Sequence, residues 1–321
     1  MPGKRFARIS LFTVLLVFLG IFLIFHWLKQ RDYREEFSAM RGQLGKVELI
    51  DEEVRDGYIY RSIRSRSSKD ILFSARLKIP ENTDKPLPAI IILGGLRTGS
   101  MTVDYIRQTT DMIIMAIDYP YEGKKENLSV TEFMLALADI HRAVLNTPPA
   151  VILGVDYLRT RDDVDQKRIT LIGGSLGAFF VPAVMAADTR IDAAAILFGA
   201  GDLQALIRNE IDMPFPLPHL GAWAASVLLA PVEPLKYVAD ISPRPVFILN
   251  GRSDHRIPMD LAEKLHEKAK EPKEIVWIEA EHLNVKSEEF HRMVSGKIMD
   301  WLSGINWEGT SPGNQGASPA D

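Results

Sequence analysis

The 321-residue sequence contains no cysteine. This absence excludes disulfide bonds, thiolate ligands for a metal ion and a cysteine nucleophile, although it indicates no particular compartment. If the protein forms a covalent intermediate through a thiol or a hydroxyl group, the nucleophilic atom must therefore be an oxygen.

The sequence also lacks an excess of positive charge. It has 38 lysines and arginines against 42 aspartates and glutamates, which gives a formal net charge of -4. Domains that bind nucleic acid usually carry a clear basic excess. We therefore expect no nucleic-acid partner.

Two motifs for cofactor binding are missing as well. The zinc-binding sequence H-E-x-x-H does not occur. Gly94-x-x-x-x-Gly99 resembles a phosphate-binding loop, but Ser100 stands where that motif requires a lysine. Without the lysine there is no charge to hold terminal phosphates. We predict neither nucleotide hydrolysis nor a metal or organic cofactor.

Uncharged apolar residues are concentrated near the N-terminus, where residues 10–28 contain no Asp, Glu, Lys or Arg. As a helix rising about 1.5 Å per residue, this run covers about 28 Å, close to the hydrocarbon thickness of a bilayer. No small-residue cleavage site follows it, and it lacks the polar face of a soluble helix. We predict a membrane anchor over residues 1–28, which makes the lipid bilayer a partner.

The predicted topology rests on the basic residues around this run. Three lie on each side of it: Lys4, Arg5 and Arg8 before it, and Lys29, Arg31 and Arg34 after it. A short basic N-terminal tail is typical of a signal-anchor. This favours a single-pass protein of a bacterial-type inner membrane, with the bulk of the chain outside the cytoplasm.

Composition divides the rest of the chain into three parts. Residues 29–46 are highly charged and are predicted to be a juxtamembrane linker or helix. Residues 306–321 are rich in Gly, Ser and Pro and are predicted to be a disordered tail. Residues 47–305, which lie between them, suffice for one large domain.

Short apolar runs rich in β-branched residues alternate with helix-period stretches through this domain. Continuous apolar runs indicate strands buried on both faces, and helices between them require parallel pairing. The pattern predicts an α/β fold with a doubly wound, mostly parallel sheet and an antiparallel hairpin at its start. The predicted strands are 58–63, 71–79, 89–93, 112–117, 169–172, 193–198, 246–249 and 275–278, and the predicted helices are 129–146, 176–187, 259–270 and 287–302.

A G-x-S-x-G motif joins a predicted strand to a predicted helix. It reads Gly173-Gly174-Ser175-Leu176-Gly177. The turn is so sharp that its flanking positions tolerate little side chain, and it raises the serine hydroxyl above the N-terminus of the next helix. The motif alone arises easily by chance. Its position between strand and helix indicates a nucleophile elbow with Ser175 as the nucleophile.

A serine nucleophile needs a base, and the base needs an acid that orients it. Asp254 follows the predicted strand 246–249, and His282 follows the predicted strand 275–278. Ser175, Asp254 and His282 thus each come after the carboxyl end of a strand, where open α/β sheets collect their ligand sites.

Other residues compete for these roles. Asp202 follows the predicted strand 193–198 and is an alternative to Asp254 as the acid, while His255 is a less favoured base. The remaining histidines on predicted helices are expected to be solvated surface residues; they are His141, His266 and His291.

Three motifs together resemble the α/β-hydrolase superfamily. They are G-G-S-L-G at 173–177, N-G-x-x-D-x-x-I-P at 250–258 and E-H-L at 281–283. The resemblance covers about residues 58–304, and the sequence looks most like the dienelactone hydrolase, acetyl xylan esterase and acyltransferase-like branches. It implies an eight-stranded, mostly parallel sheet with a cap insertion. It also implies Ser175 as nucleophile, His282 as general base and acid, and Asp254 as the residue that orients His282.

A glycine-rich loop at residues 94–100 follows a predicted strand. The resemblance implies that a backbone N–H of this loop and one from Leu176 hold the oxyanion. Many relatives have His-Gly where this sequence has Gly-Gly, so the loop donor is either Gly95 or Leu96. Arg97 is a candidate ligand for a substrate carboxylate, with a solvated loop arginine as the alternative.

An insertion at about 202–240 separates two of the predicted strands. Its segment 213–232 carries no charge, and prolines leave too few consecutive residues for a second membrane span. We predict a cap over the serine with an acyl or aromatic pocket, whereas packing against the core is the alternative. The candidate pocket residues are Phe215, Leu217, Trp223 and Leu228.

These features predict a membrane-anchored serine hydrolase that cleaves a small-molecule carboxylic ester through an acyl-enzyme intermediate. Two other functions fit parts of the same pattern. An acyltransferase or thioesterase would use the same triad with a different acceptor or substrate. A non-catalytic α/β-hydrolase-like binding protein would keep the fold without the reaction.

Overall fold

A nine-stranded sheet forms the centre of the computed structural model, which describes residues 2–95, 98–106, 111–121, 123, 129–210, 217–283 and 287–307. The spatial order of the strands is β1-β2-β3-β5-β4-β6-β7-β8-β9. In chain order they are β1 (Glu48–Arg55), β2 (Tyr58–Arg66), β3 (Leu72–Pro80), β4 (Leu87–Leu93), β5 (Ile113–Ile117), β6 (Val164–Gly174), β7 (Ala193–Leu197), β8 (Val246–Gly251) and β9 (Lys273–Ile278).

The first three strands pair antiparallel with their neighbours, and β3 also runs antiparallel to β5. All other pairs, from β5–β4 across to β8–β9, are parallel. This arrangement confirms the predicted mostly parallel sheet with an antiparallel hairpin at its start.

The prediction of eight strands was wrong, because β1 adds a ninth at the edge. Its sequence ELIDEEVR is acidic, and seven of its eight positions are exposed, so it has none of the continuous apolar character of the buried strands. The turn Asp56-Gly57 joins it to β2, with φ of 52° and 76°. Positive φ at both central residues is the requirement of a tight type I′ hairpin turn, for which Asp-Gly is a favoured pair.

Ten helices surround the sheet within the described ranges. They are α1 (Pro2–Gln30), α2 (Arg34–Arg41), α3 (Thr102–Tyr105), α4 (Val130–Arg159), α5 (Val181–Ala187), α6 (Leu203–Glu210), α7 (Leu217–Leu229), α8 (Pro234–Tyr237), α9 (Met259–Lys268) and α10 (Glu288–Gly304).

Helices cover both faces of the sheet, as in a doubly wound fold. Ile91 and Leu93 of β4 belong to a core cluster that includes buried residues of α4 and α5. Ile90 and Ile92 point the other way and share a second cluster with the buried side of α10. The alternation follows from the two-residue period of a strand, and apolar residues at both parities explain the continuous apolar runs.

Helix α4 is longer than predicted. The predicted helix ended at residue 146, before Pro148 and Pro149, yet the helix continues to Arg159 with both prolines inside it. Proline in a helix interior costs about 3 kcal/mol. The second half of α4 offsets this cost because Val151, Leu153 and Leu158 are fully buried in the core.

Helix α1 carries the apolar run near the N-terminus. Its stretch Thr13–Gln30 is long and apolar enough to cross a membrane, by length and composition, and none of this stretch is buried. The helix contacts α7 of the insertion, where Trp223 packs on Phe22 and Phe25 with ring centroids 5.9 and 5.1 Å apart. The part of the chain from 308 onward, which includes most of the predicted tail, lies outside the described residues.

Candidate active site

Ser175 sits on a strained turn between β6 and the short 3-10 helix that precedes α5. Its φ is 54°, a left-handed value that is unusual for a residue with a side chain. The neighbouring glycines allow this turn: a Cβ on Gly177 would lie 2.0 Å from the carbonyl oxygen of Leu93, and one on Gly173 would lie 2.4 Å from that of Gly177. Strain of this kind is maintained by the surrounding structure and concentrates at functional sites.

The structure brings Ser175, His282 and Asp254 into one hydrogen-bonded chain. The Oγ atom of Ser175 lies 2.7 Å from Nε2 of His282. The other ring nitrogen of His282, Nδ1, lies 2.8 Å from Oδ2 of Asp254. Hydroxyl, imidazole and carboxylate therefore stand in the order that a serine nucleophile with a base and an orienting acid requires.

Asp254 is fixed from both sides. Its side chain is fully buried, and Oδ1 accepts hydrogen bonds from the backbone N–H groups of Arg256 and Ile257 at 2.9 and 3.0 Å. Burial alone raises the pKa of this carboxyl, but the hydrogen bond and charge of His282 together with the two backbone donors outweigh burial and hold the pKa of Asp254 below its usual value. The group is thus an acceptor at neutral pH, which keeps the Nδ1 proton on His282.

The ring of His282 also rests against an aromatic side chain. Phe198, which is fully buried at the end of β7, meets it edge-on with ring centroids 5.7 Å apart. Phe198 has a φ of 55°, so its backbone is held in an unfavourable region as well. The sequence offered no signal for this contact, because an aromatic residue ending a strand reads as ordinary core.

Asp202, the alternative acid, is engaged elsewhere. Its Oδ1 accepts a hydrogen bond from the backbone N–H of Ala205 at 3.1 Å in the first turn of α6, and its Oδ2 pairs with Nζ of Lys264 at 2.6 Å. Its φ of 59° is consistent with a turn position that orders the helix start. Among the described residues, the carboxylate that hydrogen-bonds to His282 is thus that of Asp254.

The prediction that the helical histidines are solvated surface residues was wrong for His266. It is 5% exposed, and its Nε2 lies 2.9 Å from Oδ1 of Asn250, whose Nδ2 donates to the carbonyl oxygen of Gly199 at 3.0 Å. Burial, with a smaller contribution from Lys273, lowers the pKa of His266 to about 4. A helix-period pattern alone did not reveal that this position faces the sheet.

The other two histidines also make contacts. Nδ1 of His141 lies 2.9 Å from the carbonyl oxygen of Leu228, which joins α4 to α7. His291 stacks on Tyr105 with ring centroids 6.1 Å apart. Within the described residues, no group of three or more His, Asp or Glu side chains could hold a metal ion.

The glycine-rich loop after β4 is anchored by the strand next to it. The hydroxyl of Tyr119 donates to the carbonyl oxygen of Gly94 at 2.5 Å, and Oδ1 of Asp118 accepts from the backbone N–H of Ser100 at 2.8 Å. Burial raises the pKa of the Tyr119 hydroxyl far above its usual value, so it remains a donor. Sequence reasoning missed Tyr119, although its place just after a buried strand was visible.

Several predicted site residues fall outside the described ranges. Leu96, Arg97 and Phe215 do so, and the side chain of Leu217 does as well. Gly95 begins the loop, and its carbonyl oxygen accepts from the backbone N–H of Thr98 at 3.1 Å. Leu176 directly follows Ser175 at the start of the 3-10 turn, where its N–H belongs to the nucleophile elbow.

An apolar cavity of about 140 Å³ adjoins the site. Gly174, Gly95 and Leu283, which neighbour the candidate nucleophile, loop donor and base, are among its lining residues. Trp223, a predicted pocket residue, is not among them, and its ring contacts are with α1. Leu228 is not among them either. The described residues that line this cavity belong mainly to the sheet, the loop after β4, α3 and α10.

The strand order, the sharp serine turn after β6 and the histidine after β9 define an α/β-hydrolase fold. A family model described as "Dienelactone hydrolase family" matches residues 73–282 of this chain. The chain therefore belongs to the dienelactone hydrolase family.

Solved structures agree on the fold. The chain is similar to an acetyl xylan esterase from Paenibacillus sp. R4, with a TM-score of 0.65 and 14% identity over 87% of this chain and 98% of that one. It is also similar to a putative dienelactone hydrolase from Klebsiella pneumoniae, with a TM-score of 0.56 and 18% identity over 81% of this chain and 100% of that one.

Among curated proteins, the chain is similar to the uncharacterized protein YfhR of Escherichia coli (strain K12). The two are 30% identical over 155 residues, which is 47% of this chain and 51% of YfhR. The match thus spans about half the length of that relative.

Proposed function

We propose that the protein is a serine hydrolase that cleaves small-molecule carboxylic esters through an acyl-enzyme on Ser175. The observation that carries the proposal is the hydrogen-bonded chain of Ser175, His282 and Asp254, with distances of 2.7 and 2.8 Å. Membership of the dienelactone hydrolase family adds support, since the matched region contains all three residues. The esterase fold of the Paenibacillus structure is in keeping with it.

In the first half-reaction, Nε2 of His282 takes the proton from Oγ of Ser175 while Oγ attacks the acyl carbon. The carbonyl oxygen becomes an oxyanion and accepts hydrogen bonds from the backbone N–H of Leu176 and of the loop at Gly95 or Leu96. The ester C–O bond then breaks, and His282 returns the proton to the departing alcohol. The acyl group remains bonded to Ser175.

In the second half-reaction, His282 removes a proton from water and the resulting oxygen attacks the acyl carbon. The bond to Ser175 breaks, Oγ regains the proton, and the carboxylic acid leaves. Asp254 stays ionised throughout because its pKa is held low, and it stabilises the imidazolium that forms in each step.

Ester turnover tests this function. Ser175→Ala removes the nucleophile and leaves the fold, so we expect kcat/KM for p-nitrophenyl esters to fall by about a millionfold, down to the residual rate of the oxyanion site. Ser303→Ala at the end of α10 is the matched control; Ser303 is exposed and its hydroxyl donates only to the carbonyl oxygen of Asp300. Equal activity of the two variants would refute the role of Ser175.

We further propose that α1 anchors the domain in a bacterial-type inner membrane with the catalytic domain outside the cytoplasm. In support, the unburied apolar stretch Thr13–Gln30 is long enough to span a bilayer. Contacts of Trp223 with Phe22, and a hydrogen bond from Lys29 to Gln204, connect the anchor to the insertion. Because Phe22 lies within this stretch, helix α7 of the insertion would then enter the bilayer next to α1.

Extraction and reporter fusions test the anchor. The full chain should stay in the membrane fraction after alkaline extraction, whereas Leu16→Arg combined with Leu19→Arg should release it, because two central charges disfavour insertion. A periplasmic phosphatase fused to the C-terminus should be active. Release of the unmodified chain, or an inactive phosphatase with an active cytoplasmic reporter, would contradict the anchor or its orientation, respectively.

A further inference from the structure

The cavity beside the site lies between the sheet and α10. Its floor is formed by side chains from four neighbouring strands that all point to the same face of the sheet. These are Ile90 and Ile92 of β4, Ile114 of β5, Ile172 of β6 and Leu197 of β7. Val294 and Ile298 of α10 cover it from above. Most of the lining is thus apolar.

Two threonine hydroxyls that line the cavity already have hydrogen-bond partners. The hydroxyl of Thr102 donates to the carbonyl oxygen of Gly99 at 2.8 Å, and that of Thr98 donates to the carbonyl oxygen of Gly95 at 3.2 Å. A polar ligand would have to compete with these bonds, whereas an apolar one replaces nothing. The cavity therefore favours an apolar occupant.

One end of the cavity lies beside the candidate triad, although Ser175 and His282 themselves do not line it. Gly174 precedes Ser175, Leu283 follows His282, and both line the cavity together with Gly95. Gly174 has no side chain to obstruct the passage; a Cβ there would lie 3.3 Å from Cδ1 of Leu283. An acyl group bonded to Ser175 would have to pass between Gly174 and Leu283 to enter the cavity.

The end of the cavity that is remote from the triad lies near the protein surface. Tyr105 of α3 is 43% exposed and stacks on His291 of α10, with ring planes 9° apart. Both residues line the cavity. This aromatic pair bridges the two helices and closes the space between them.

We propose that this cavity holds the acyl part of the substrate and limits it to about six carbons in a straight chain, or one aromatic ring. The inference rests on the proposed function, since it takes Ser175 as the acylated residue. The limit follows from size: the cavity measures about 140 Å³, and an apolar protein cavity of about 150 Å³ accommodates one benzene molecule. The Tyr105–His291 pair sets the far limit.

A chain-length series measures this limit directly. With p-nitrophenyl esters from acetate to dodecanoate, kcat/KM of the full chain should rise about fourfold for each buried methylene. The rise should stop at about six carbons and turn into a decline for longer chains.

Two variants should move the limit in opposite directions. Ile298→Trp fills the cavity, so the preference for hexanoate over acetate should fall by at least about tenfold. Tyr105→Ala opens the far end, so octanoate and decanoate should gain about fourfold or more relative to hexanoate. The controls are Met293→Trp on the exposed side of α10 and Met101→Ala beside α3, whose native side chains are 37% and 54% exposed; both should keep the native profile.

The outcomes separate the cavity from the catalytic proposal. If esters are hydrolysed but neither variant alters the chain-length profile, the cavity inference is wrong and the proposed function stands. If no ester is hydrolysed, the cavity inference is tested by itself. Ligand-observed NMR then measures whether hexanoate binds to Ser175→Ala. The inference is supported if hexanoate binds, if Ile298→Trp abolishes this binding and if Met293→Trp retains it. Absence of binding overturns the inference. Tyr105→Ala, a surface change, keeps the test valid if Ile298→Trp does not fold.

Discussion

The buried hydroxyl of Tyr119 donates a hydrogen bond to the carbonyl oxygen of Gly94 at 2.5 Å. This bond ties the end of β5 to the start of the loop that follows β4. The loop in turn leads to Gly95, one of the two candidate positions for an oxyanion donor. In the proposed mechanism, Tyr119 is a positioning residue, because its bond orders the loop that carries the oxyanion donor.

Tyr119→Phe should lower kcat more than it changes KM. The substitution keeps the ring but removes the donor, so the loop loses a fixed orientation that matters most in the transition state. We expect a decrease in kcat of about tenfold or more, measured with a short p-nitrophenyl ester. Tyr157→Phe is the control. It removes a tyrosine hydroxyl on α4 that accepts a hydrogen bond from Arg161 at 3.0 Å, and it should leave kcat unchanged. Equal effects on both would argue against positioning by Tyr119.

Asp254→Asn should lower kcat by about ten-thousandfold, because an amide no longer fixes the His282 tautomer that leaves Nε2 free to accept a proton. Asp202→Asn is the matched control, since Asp202 bonds Ala205 and Lys264 instead. Steady-state kinetics of both variants distinguish the two candidate acids. A larger loss for Asp202→Asn would reverse the assignment.

The buried His266 should make stability depend on pH. Its pKa in the folded protein is about 4, below the ordinary value of about 6.5, so the unfolded chain binds the proton more readily between these values. Stability is therefore fully present above pH about 6.5 and is lost as the pH falls toward 4. The free energy of unfolding should decrease by about 2 kcal/mol from pH 7 to pH 5 on account of this group.

His266→Gln keeps a donor for Asn250 and should remove most of that dependence. His255→Gln, at an exposed position, should retain it. Urea unfolding at the two pH values measures the difference. An unchanged pH dependence in His266→Gln would show that other groups cause it.

Gly177→Ala should destabilise the fold strongly. A Cβ at this position would lie 2.0 Å from the carbonyl oxygen and 2.7 Å from the carbonyl carbon of Leu93, and backbone of a buried strand has little room to move. We expect a loss of about 3 kcal/mol in the free energy of unfolding. Gly304→Ala, which meets nothing within 4 Å, should be close to neutral, and thermal unfolding compares the two. Similar stabilities would mean that the elbow tolerates a side chain.

Much of the fold was predictable because buried parallel strands carry continuous apolar runs. The positions of β4 through β9 followed from that pattern, and so did the hairpin of β2 and β3. Strand β1 escaped it, since an acidic edge strand that is exposed at seven of its eight positions resembles a linker. Helix α4 was cut short at Pro148 because local propensity cannot anticipate that burial of its second half offsets the prolines.

The candidate site was predictable to the extent that chemistry marks it in the chain. Ser175, Asp254 and His282 each stand in a short motif at the end of a strand, and the structure joins them by hydrogen bonds. Contacts between residues that lie far apart in the sequence and outside any motif could not be predicted, such as that of Phe198 with His282. The pocket in the insertion stays a prediction: Phe215 lies outside the described residues, and Trp223 packs against the apolar helix α1.

Covalent labelling of the full chain with an alkyl fluorophosphonate, read out by intact-protein and peptide mass spectrometry, tests the central claim most directly. The account predicts one added phosphonyl group, located on Ser175, and none in Ser175→Ala. An unlabelled native chain, or equal labelling of Ser175→Ala, would contradict it.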